Sequence, residues 1–323
     1  MEYSYYPGCS LHATGVAYDK SMQATFKALD AGLIELDDWN CCGATAYMSV
    51  KETVAFTVSA RNLALAERAG RDIVTPCSAC WCVLNKTRTY MRKLPELRRH
   101  VEESLREAGM TCKFDLPVRH PLEVLVNDFG IAQLASRQVR SLKGLRVACY
   151  YGCQIVRPER ALEEEDQEVP MALENLLAGL GATPVPFSPK VRCCGGMLVA
   201  TFESVARELT GRLVEWARVE GADCIATTCP LCQANLEVLQ EGGNGEGTAK
   251  PPIPAVYFTQ LVGMALGCSE REVGLHHNMI PLKFEFPRMA KPTTRHPPLS
   301  PLGKGGNRGV AEPAPTTEAA SNV

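Results

Sequence analysis

Cysteine recurs along this chain in the same arrangement twice, and that repetition constrains the fold more than any other feature. The first copy is Cys9, then Cys41-Cys42-Gly43, then Cys77-Ser78-Ala79-Cys80. The second is Cys153, then Cys193-Cys194-Gly195, then Cys229-Pro230-Leu231-Cys232. Between the paired cysteines and the Cys-x-x-Cys lie 34 residues in both copies. Between the single cysteine and the pair lie 31 residues in the first copy and 39 in the second. Five thiols per copy form a cluster-binding layout, and their duplication implies a duplicated domain rather than a solenoid of short repeats.

The remaining sequence sets the frame for these thiols. The chain has 323 residues, enough for two domains with a core each. A hydrophobic share of 46% and a charged share of 22% suit a globular protein, and a net charge of −2 gives no case for a nucleic-acid partner. No apolar run approaches the ~20 residues that span a bilayer, and the start, Met1 to Cys9, has neither a basic nor an apolar leader region. We therefore expect a cytoplasmic protein with no direct membrane insertion. In a reducing compartment fifteen cysteines, an odd number, are metal ligands or redox groups rather than a disulfide framework.

The pattern of apolar residues predicts α/β architecture. A strand at 3–6 runs into Cys9, and a helix follows over 15–31. A strand at 33–36 precedes Cys41, and a helix covers 50–69, ended by Gly70. A strand at 72–75 leads to Cys77, and a helix begins near Ser78. The second copy repeats the order: strand 145–150, helix 170–179, strand 184–187, helix 203–220, strand 223–227, and a helix after Cys229 to about Leu239. A helical stretch, 94–138, lies between the copies. A Gly- and Pro-rich loop, 241–254, precedes a last strand and helix within 256–266. The expected organisation is two tandem pseudo-symmetric domains, 1–140 and 145–286, each with a small, mostly parallel sheet flanked by helices. From 287 to 323 seven prolines and few large apolar residues predict a disordered tail.

Each cysteine group then falls at or beyond the carboxyl end of a strand, the edge where open α/β sheets bind ligands. Helices starting there offer N–H groups and a positive dipole end to thiolates. Adjacent cysteines diverge, which is awkward around one tetrahedral ion and suits two neighbouring irons. Gly43 and Gly195 would let the backbone approach a bulky cluster. Zinc held by four thiols, above all in the N-terminal copy, and a redox Cys-x-x-Cys pair are the alternatives. Cys149 and Cys224 fall inside strands as small hydrophobes, Cys112 and Cys268 near loops as bystanders, and Cys82 packs away from the site. No dinucleotide fingerprint or P-loop is visible.

This duplicated pattern resembles the CCG-domain family and, with two copies over about residues 1–285, the cysteine-rich B subunit of heterodisulfide reductase. The resemblance implies one noncubane [4Fe–4S] cluster on Cys9, Cys41, Cys42, Cys77 and Cys80. It implies another on Cys153, Cys193, Cys194, Cys229 and Cys232. It implies reduction of a disulfide substrate by one-electron steps. It also implies two protein partners, a ferredoxin-type iron–sulfur protein and a flavoprotein, which fill the C and A places of such a complex. Splitting a disulfide needs two electrons, and two facing clusters could each attend to one sulfur. Electron transfer to another acceptor, such as quinone, a sulfur-carrier protein or an acyl-CoA system, is the rival role. His12, three residues beyond Cys9, is a candidate proton donor. The basic run Lys86, Arg88, Arg92, Lys93, Arg98 and Arg99 is a candidate docking face, with a solvated helix face as the plainer reading.

Overall fold

The structure, a computed structural model, describes residues 1–44, 47–157, 166–240 and 251–289. In the N-terminal half the elements are β1 (Glu2–Tyr5), α1 (Gly8–Leu11), α2 (Val16–Ala28), β2 (Gly32–Glu35), α3 (Tyr47–Val50), α4 (Glu52–Ala69), β3 (Ile73–Val74), α5 (Ser78–Lys93), α6 (Pro95–Glu107), β4 (Val118–Arg119), α7 (Pro121–Val124) and α8 (Ile131–Ser136). The C-terminal half has β5 (Arg146–Tyr150), α9 (Ala172–Gly179), β6 (Thr183–Pro184), α10 (Glu203–Val219), β7 (Cys224–Thr227), α11 (Pro230–Val238), β8 (Ala255–Tyr257) and α12 (Phe258–Ala265). Two four-stranded sheets result, ordered β2-β1-β3-β4 and β6-β5-β7-β8. Every pairing within them is parallel. The orders match position for position, so the duplication seen in the cysteines extends to the whole sheet.

Each half has its own apolar core. Phe56, Leu63, Trp81, Leu84 and Val118 pack in the first, and Ala148, Leu213, Ile225 and Leu236 in the second. The halves join through α2 and α12. Tyr18 stacks on Tyr257 at 4.2 Å between ring centroids, and Ser21 Oγ lies 2.6 Å from Thr259 Oγ1. Gly263 makes the close approach possible, since a Cβ there would lie 2.6 Å from Val273 and 2.9 Å from Thr25 Oγ1.

Four expectations change. The 94–138 stretch is not only helical: β4 adds a fourth strand, paired Ile73 to Val118. Two residues carry no periodicity, so only tertiary pairing reveals it. The strand expected at 184–187 is Thr183–Pro184, at the sheet edge. There Thr183 and Val185 donate to β5 while Pro184, which has no N–H, loses nothing. The helix expected over 50–69 breaks at Lys51, whose extended backbone separates α3 from α4. The tail begins later than 287: Arg288 bridges Arg140 in antiparallel fashion, and Met289 donates to the Val139 carbonyl at 2.8 Å. The rest of the tail and residues 241–250 of the loop lie outside the described residues.

Candidate metal centres

The cysteines gather at the carboxyl edges of three adjacent strands in each sheet. Cys9 lies in α1, directly after β1, and is exposed; Cys41 is half-buried and Cys42 buried in the segment after β2. Cys77 caps the N-terminus of α5 and Cys80 follows in its first turn, both buried. Cys229 and Cys232 hold the same places on α11 and are also buried, Cys153 is half-buried, Cys193 exposed and Cys194 buried.

The thiols touch as a chain of pairs. Cys41 bonds to Cys42, Cys42 to Cys80 and Cys80 to Cys77. Cys9 is near enough for its charge to act on Cys41 and on Tyr6. In the second half Cys194 Sγ is 3.5 Å from Cys232 Sγ, Cys232 bonds to Cys229, and Cys153 bonds to Cys193. Cys77 and Cys229 act on each other's ionisation, and their loops meet between the halves, where Ser78 Oγ donates to the Thr228 carbonyl at 3.1 Å.

Sharing protons along this chain separates the thiols into acceptors and donors. Cys42 is held well below the ordinary range by Cys41 and Cys80, Cys77 by Cys229 and Cys80, and Cys194 is lowered by its bond with Cys232. Cys80 and Cys232 are driven up by donating to Cys42 and to Cys194. Cys229 receives a lowering bond from Cys232, but its donation to Cys77 and its burial push it up to about 12. Cys153 is pushed up to about 12 by burial and by Cys193. A buried set of this kind cannot ionise together without a cation, and metal binding would release its protons.

Among the described residues no three His, Cys, Asp or Glu side chains converge as a site for one metal ion requires. The cysteines come from several separate elements, and iron–sulfur clusters are held by such cysteine sets. The donor set is all sulfur, which also suits iron–sulfur chemistry.

Residues outside the ten cysteines shape both sites alike. Gly8 (φ +69°) and Gly152 (φ +72°) lie against sulfur: a Cβ would sit 2.9 Å from Cys80 Sγ and 3.0 Å from Cys232 Sγ. Gly43 and Gly195, expected to let the backbone approach a cluster, bring backbone N–H groups to the first cysteine of each pair, Gly195 N–H lying 3.3 Å from Cys193 Sγ. Their added Cβ atoms would meet Ala55 O at 2.9 Å and Ala206 Cα at 2.8 Å, so they let the cysteine turns pack on α4 and α10. Tyr6 donates to the Asn40 carbonyl and Tyr150 to the Arg192 carbonyl, each at 2.7 Å. Both rings stand beside four of their site's thiols, whose charges add to burial in raising each phenol.

Between the sites is His120, fully buried. Its Nδ1 accepts from the Leu122 N–H at 3.2 Å, so Nε2 carries the proton and faces the Pro76 and Thr228 carbonyls at 3.1 and 3.2 Å. Those carbonyls immediately precede Cys77 and Cys229. Burial lowers the imidazole to about 4 against the two carbonyl bonds that raise it. Nothing in the sequence marks His120; it is placed by β4, a strand with no signal of its own.

The other named residues resolve simply. Cys149 and Cys224 are buried in their strands, Cys112 in the N-terminal core, and Cys268 is half-buried. Cys82 packs on the N-terminal core and burial pushes it up to about 11. His12 lies 3.5 Å from Glu35 and edge-on to Trp39. In the basic run Lys86 pairs with Glu52, Arg92 with Asp115, Arg98 with Glu102 and Arg99 with Glu103, while Arg88 donates to Asn85 and to the Asp115 carbonyl. That face is largely engaged within the chain.

Residues 3–85 and 147–237 match the model of the CCG cysteine-rich domain. The chain belongs to the CCG family. This CCG protein is 33% identical over 279 residues to the 8-methylmenaquinol:fumarate reductase membrane anchor subunit of Wolinella succinogenes, covering 86% of this chain and 97% of that one. It is 31% identical over 278 residues to a protein of Archaeoglobus profundus that is named as like the heterodisulfide reductase B subunit, covering 84% and 93%. It is 29% identical over 280 residues to the B subunit of the CoB-CoM heterodisulfide reductase of Methanosarcina acetivorans, covering 86% and 93%. A crystal structure of a hypothetical protein from Helicobacter pylori superposes with a TM-score of 0.71 at 13% identity over 88% of this chain, showing the shared fold; the chain spans about half (53%) of that protein. These relatives make the chain a CCG-domain redox subunit. No helix among the described residues is long and apolar enough to cross a membrane.

Proposed function

We propose that this CCG protein is the iron–sulfur subunit of a heterodisulfide reductase-type complex, reducing a disulfide to two thiols. The observation that carries the reading is the meeting of the loops that bear Cys77 and Cys229: Ser78 Oγ donates to the Thr228 carbonyl at 3.1 Å, and His120 Nε2 lies 3.1 and 3.2 Å from the Pro76 and Thr228 carbonyls. In this reading the halves 1–140 and 145–286 each hold a noncubane [4Fe–4S] cluster. The first is ligated by Cys9, Cys41, Cys42, Cys77 and Cys80, the second by Cys153, Cys193, Cys194, Cys229 and Cys232. Bound there, the clusters would supply one electron each, with potentials open to tuning over ~−700 to +450 mV.

The chain's own residues do the rest. Buried Cys42, Cys77, Cys80, Cys194, Cys229 and Cys232 keep the inner side of each site from water, while exposed Cys9 and Cys193 leave an outer side open to substrate. Gly8 and Gly152 keep the backbone clear of the sulfurs, and Tyr6 and Tyr150 fix the carbonyls before the cysteine pairs. His12 Nε2, backed by Glu35, is the proton source for a departing thiolate at the N-terminal mouth. A ferredoxin-type iron–sulfur protein and a flavoprotein, the two partners such a complex implies, deliver the electrons in the cytoplasm.

The Wolinella relative favours a second reading, in which the chain passes electrons within a quinol-linked system. Iron analysis and EPR on anaerobically purified protein separate the two. About eight irons per chain, a paramagnetic signal that depends on added thiol, and disulfide turnover support the first. Eight irons with neither thiol signal nor turnover support the second, and about two zincs without iron would refute both. Cys194→Ala should lower disulfide reduction to background; turnover near the wild-type rate would sink the two-cluster mechanism.

A further inference from the structure

One difference between the two sites is a buried donor. Asn235 on α11, 3% exposed, directs Nδ2 at Cys194 Sγ, 3.6 Å away, and at the carbonyls of Cys194 and Gly196, at 3.2 and 3.0 Å. It stands six residues beyond Cys229. Six residues beyond Cys77 stands Val83, buried and without a donor. The backbone bonds to the second cysteine of each pair otherwise correspond: Gly196 N–H to Cys194 Sγ at 3.4 Å, and Ala44 N–H to Cys42. Among the described residues, a side-chain amide therefore meets Cys194 and none meets the equivalent sulfur of Cys42.

We propose that Asn235 sets the C-terminal site at a higher reduction potential than the N-terminal one, so that an electron from an iron–sulfur donor settles beside Cys194. The inference rests on Cys194 being a cluster ligand. A one-electron reduction adds negative charge to the cluster and its thiolates. An N–H aimed at one of those sulfurs stabilises the reduced form more than the oxidised form. At a buried sulfur, water does not compete for the role. Asn235 is thus a positioning residue that also tunes charge: its carbonyl bonds hold the 194–196 turn while the same amide meets the sulfur. With unequal potentials the pair has a direction, and the second electron must be held at the N-terminal site.

The test is an EPR-monitored redox titration of the full chain with both clusters loaded, comparing wild type, Asn235→Leu and Val83→Asn. Asn235→Leu should lower the higher midpoint and leave the other in place. The expected change is roughly tenfold in the ratio of reduced to oxidised cluster, about 59 mV for one electron. Val83→Asn should raise the lower midpoint. With iron at both sites, unmoved midpoints, an equal drift of both, or a rise of the C-terminal midpoint in Asn235→Leu would overturn the tuning role, because loss of an N–H at the sulfur lowers that midpoint whereas loosened packing that admits water raises it. If Asn235→Leu fails to load its cluster, Val83→Asn decides: no rise at the N-terminal site overturns the proposal. A wild-type protein without iron at Cys194 would overturn the cluster assignment itself, and this inference with it.

Discussion

The two halves hold their cysteines in the same way and support them differently. At the cysteines the match is residue for residue: Gly8 with Gly152 against sulfur, Gly43 with Gly195 against a helix, Tyr6 with Tyr150 on a carbonyl. Behind them it ends. In the N-terminal half Asn40, before the cysteine pair, is gripped by Asn62 and by Arg61, which also pairs with the exposed Asp38. In the C-terminal half the support is a buried ion pair. Lys190 meets Glu174 at 2.9 Å and Glu174 accepts from Tyr151 at 2.5 Å, while the Lys190 carbonyl receives the Tyr151 and Gly152 N–H groups. Constraint therefore lives at the sulfur, where two copies must do the same chemistry, and relaxes one layer out, where several packings hold the same turn.

That contrast is broken or sharpened most directly at the ion pair. Lys190 and Glu174 are each 7% exposed, so removing one partner leaves an uncompensated charge indoors. Lys190→Met should cost about 3–5 kcal/mol. Arg61→Ala, at a pair whose carboxylate is 71% exposed, should cost about 1 kcal/mol. Urea unfolding followed by hydrogen exchange reads both, and loss of protection after Lys190→Met should centre on β5 and the Cys153 turn. The double variant Lys190→Met/Glu174→Leu should recover much of the loss. Equal costs for Lys190→Met and Arg61→Ala would show that the two supports are equivalent after all.

His120 belongs to neither half's support and joins both. Its folded value of about 4 lies below the unfolded one near 6.5, so between them the unfolded chain binds the extra proton. Its contribution is complete above about pH 6.5 and is lost as the pH falls toward 4. The gap corresponds to about 3 kcal/mol in all, of which roughly 2 kcal/mol is gone by pH 5. The stability difference between wild type and His120→Gln, measured in urea at pH 7.5 and pH 5, should shrink by that amount. A difference independent of pH would mean that the ring titrates in the fold as it does in the unfolded chain, and one that grew toward pH 5 would mean that the fold holds it protonated.

Much of this arrangement is legible in the chain, for identifiable reasons. The helix after Cys77 begins at Ser78 because the cysteine itself is the cap, and the long helix before it ends at Gly70 because that residue adopts φ +69°. The strands leading to Cys9, Cys77, Cys153 and Cys229 are short apolar runs that end at the thiols. What cannot be read depends on contacts between distant segments. β4 is two residues long; His120 is one histidine among six. Asn235 is one of three buried polar residues in α11, with Gln233 and Glu237, and the helical period says only that it faces inward. Gly8 and Gly152 look like turn residues and prove to be spacers against a sulfur 72 or 80 residues away. The glycine after each cysteine pair, expected at the cluster, also lets the turn pack on the helix behind it.

The smallest predicted effect tests whether the match at the sulfur layer is as complete as it looks. Tyr6→Phe and Tyr150→Phe each remove one phenol-to-carbonyl bond and leave the ring in place. A bond of this kind is worth about 0.5–1.5 kcal/mol net, and more when the partner is left buried and unpaired. The Asn40 carbonyl keeps a second donor, Asn62 Nδ2 at 3.0 Å. The Arg192 carbonyl has no other protein donor among the described residues. Tyr6→Phe should therefore cost about 0.5 kcal/mol and Tyr150→Phe about 1–2 kcal/mol in urea unfolding. A larger cost at Tyr6 would place the difference between the halves at the ring beside the thiols, and the symmetry would then stop at the cysteines themselves.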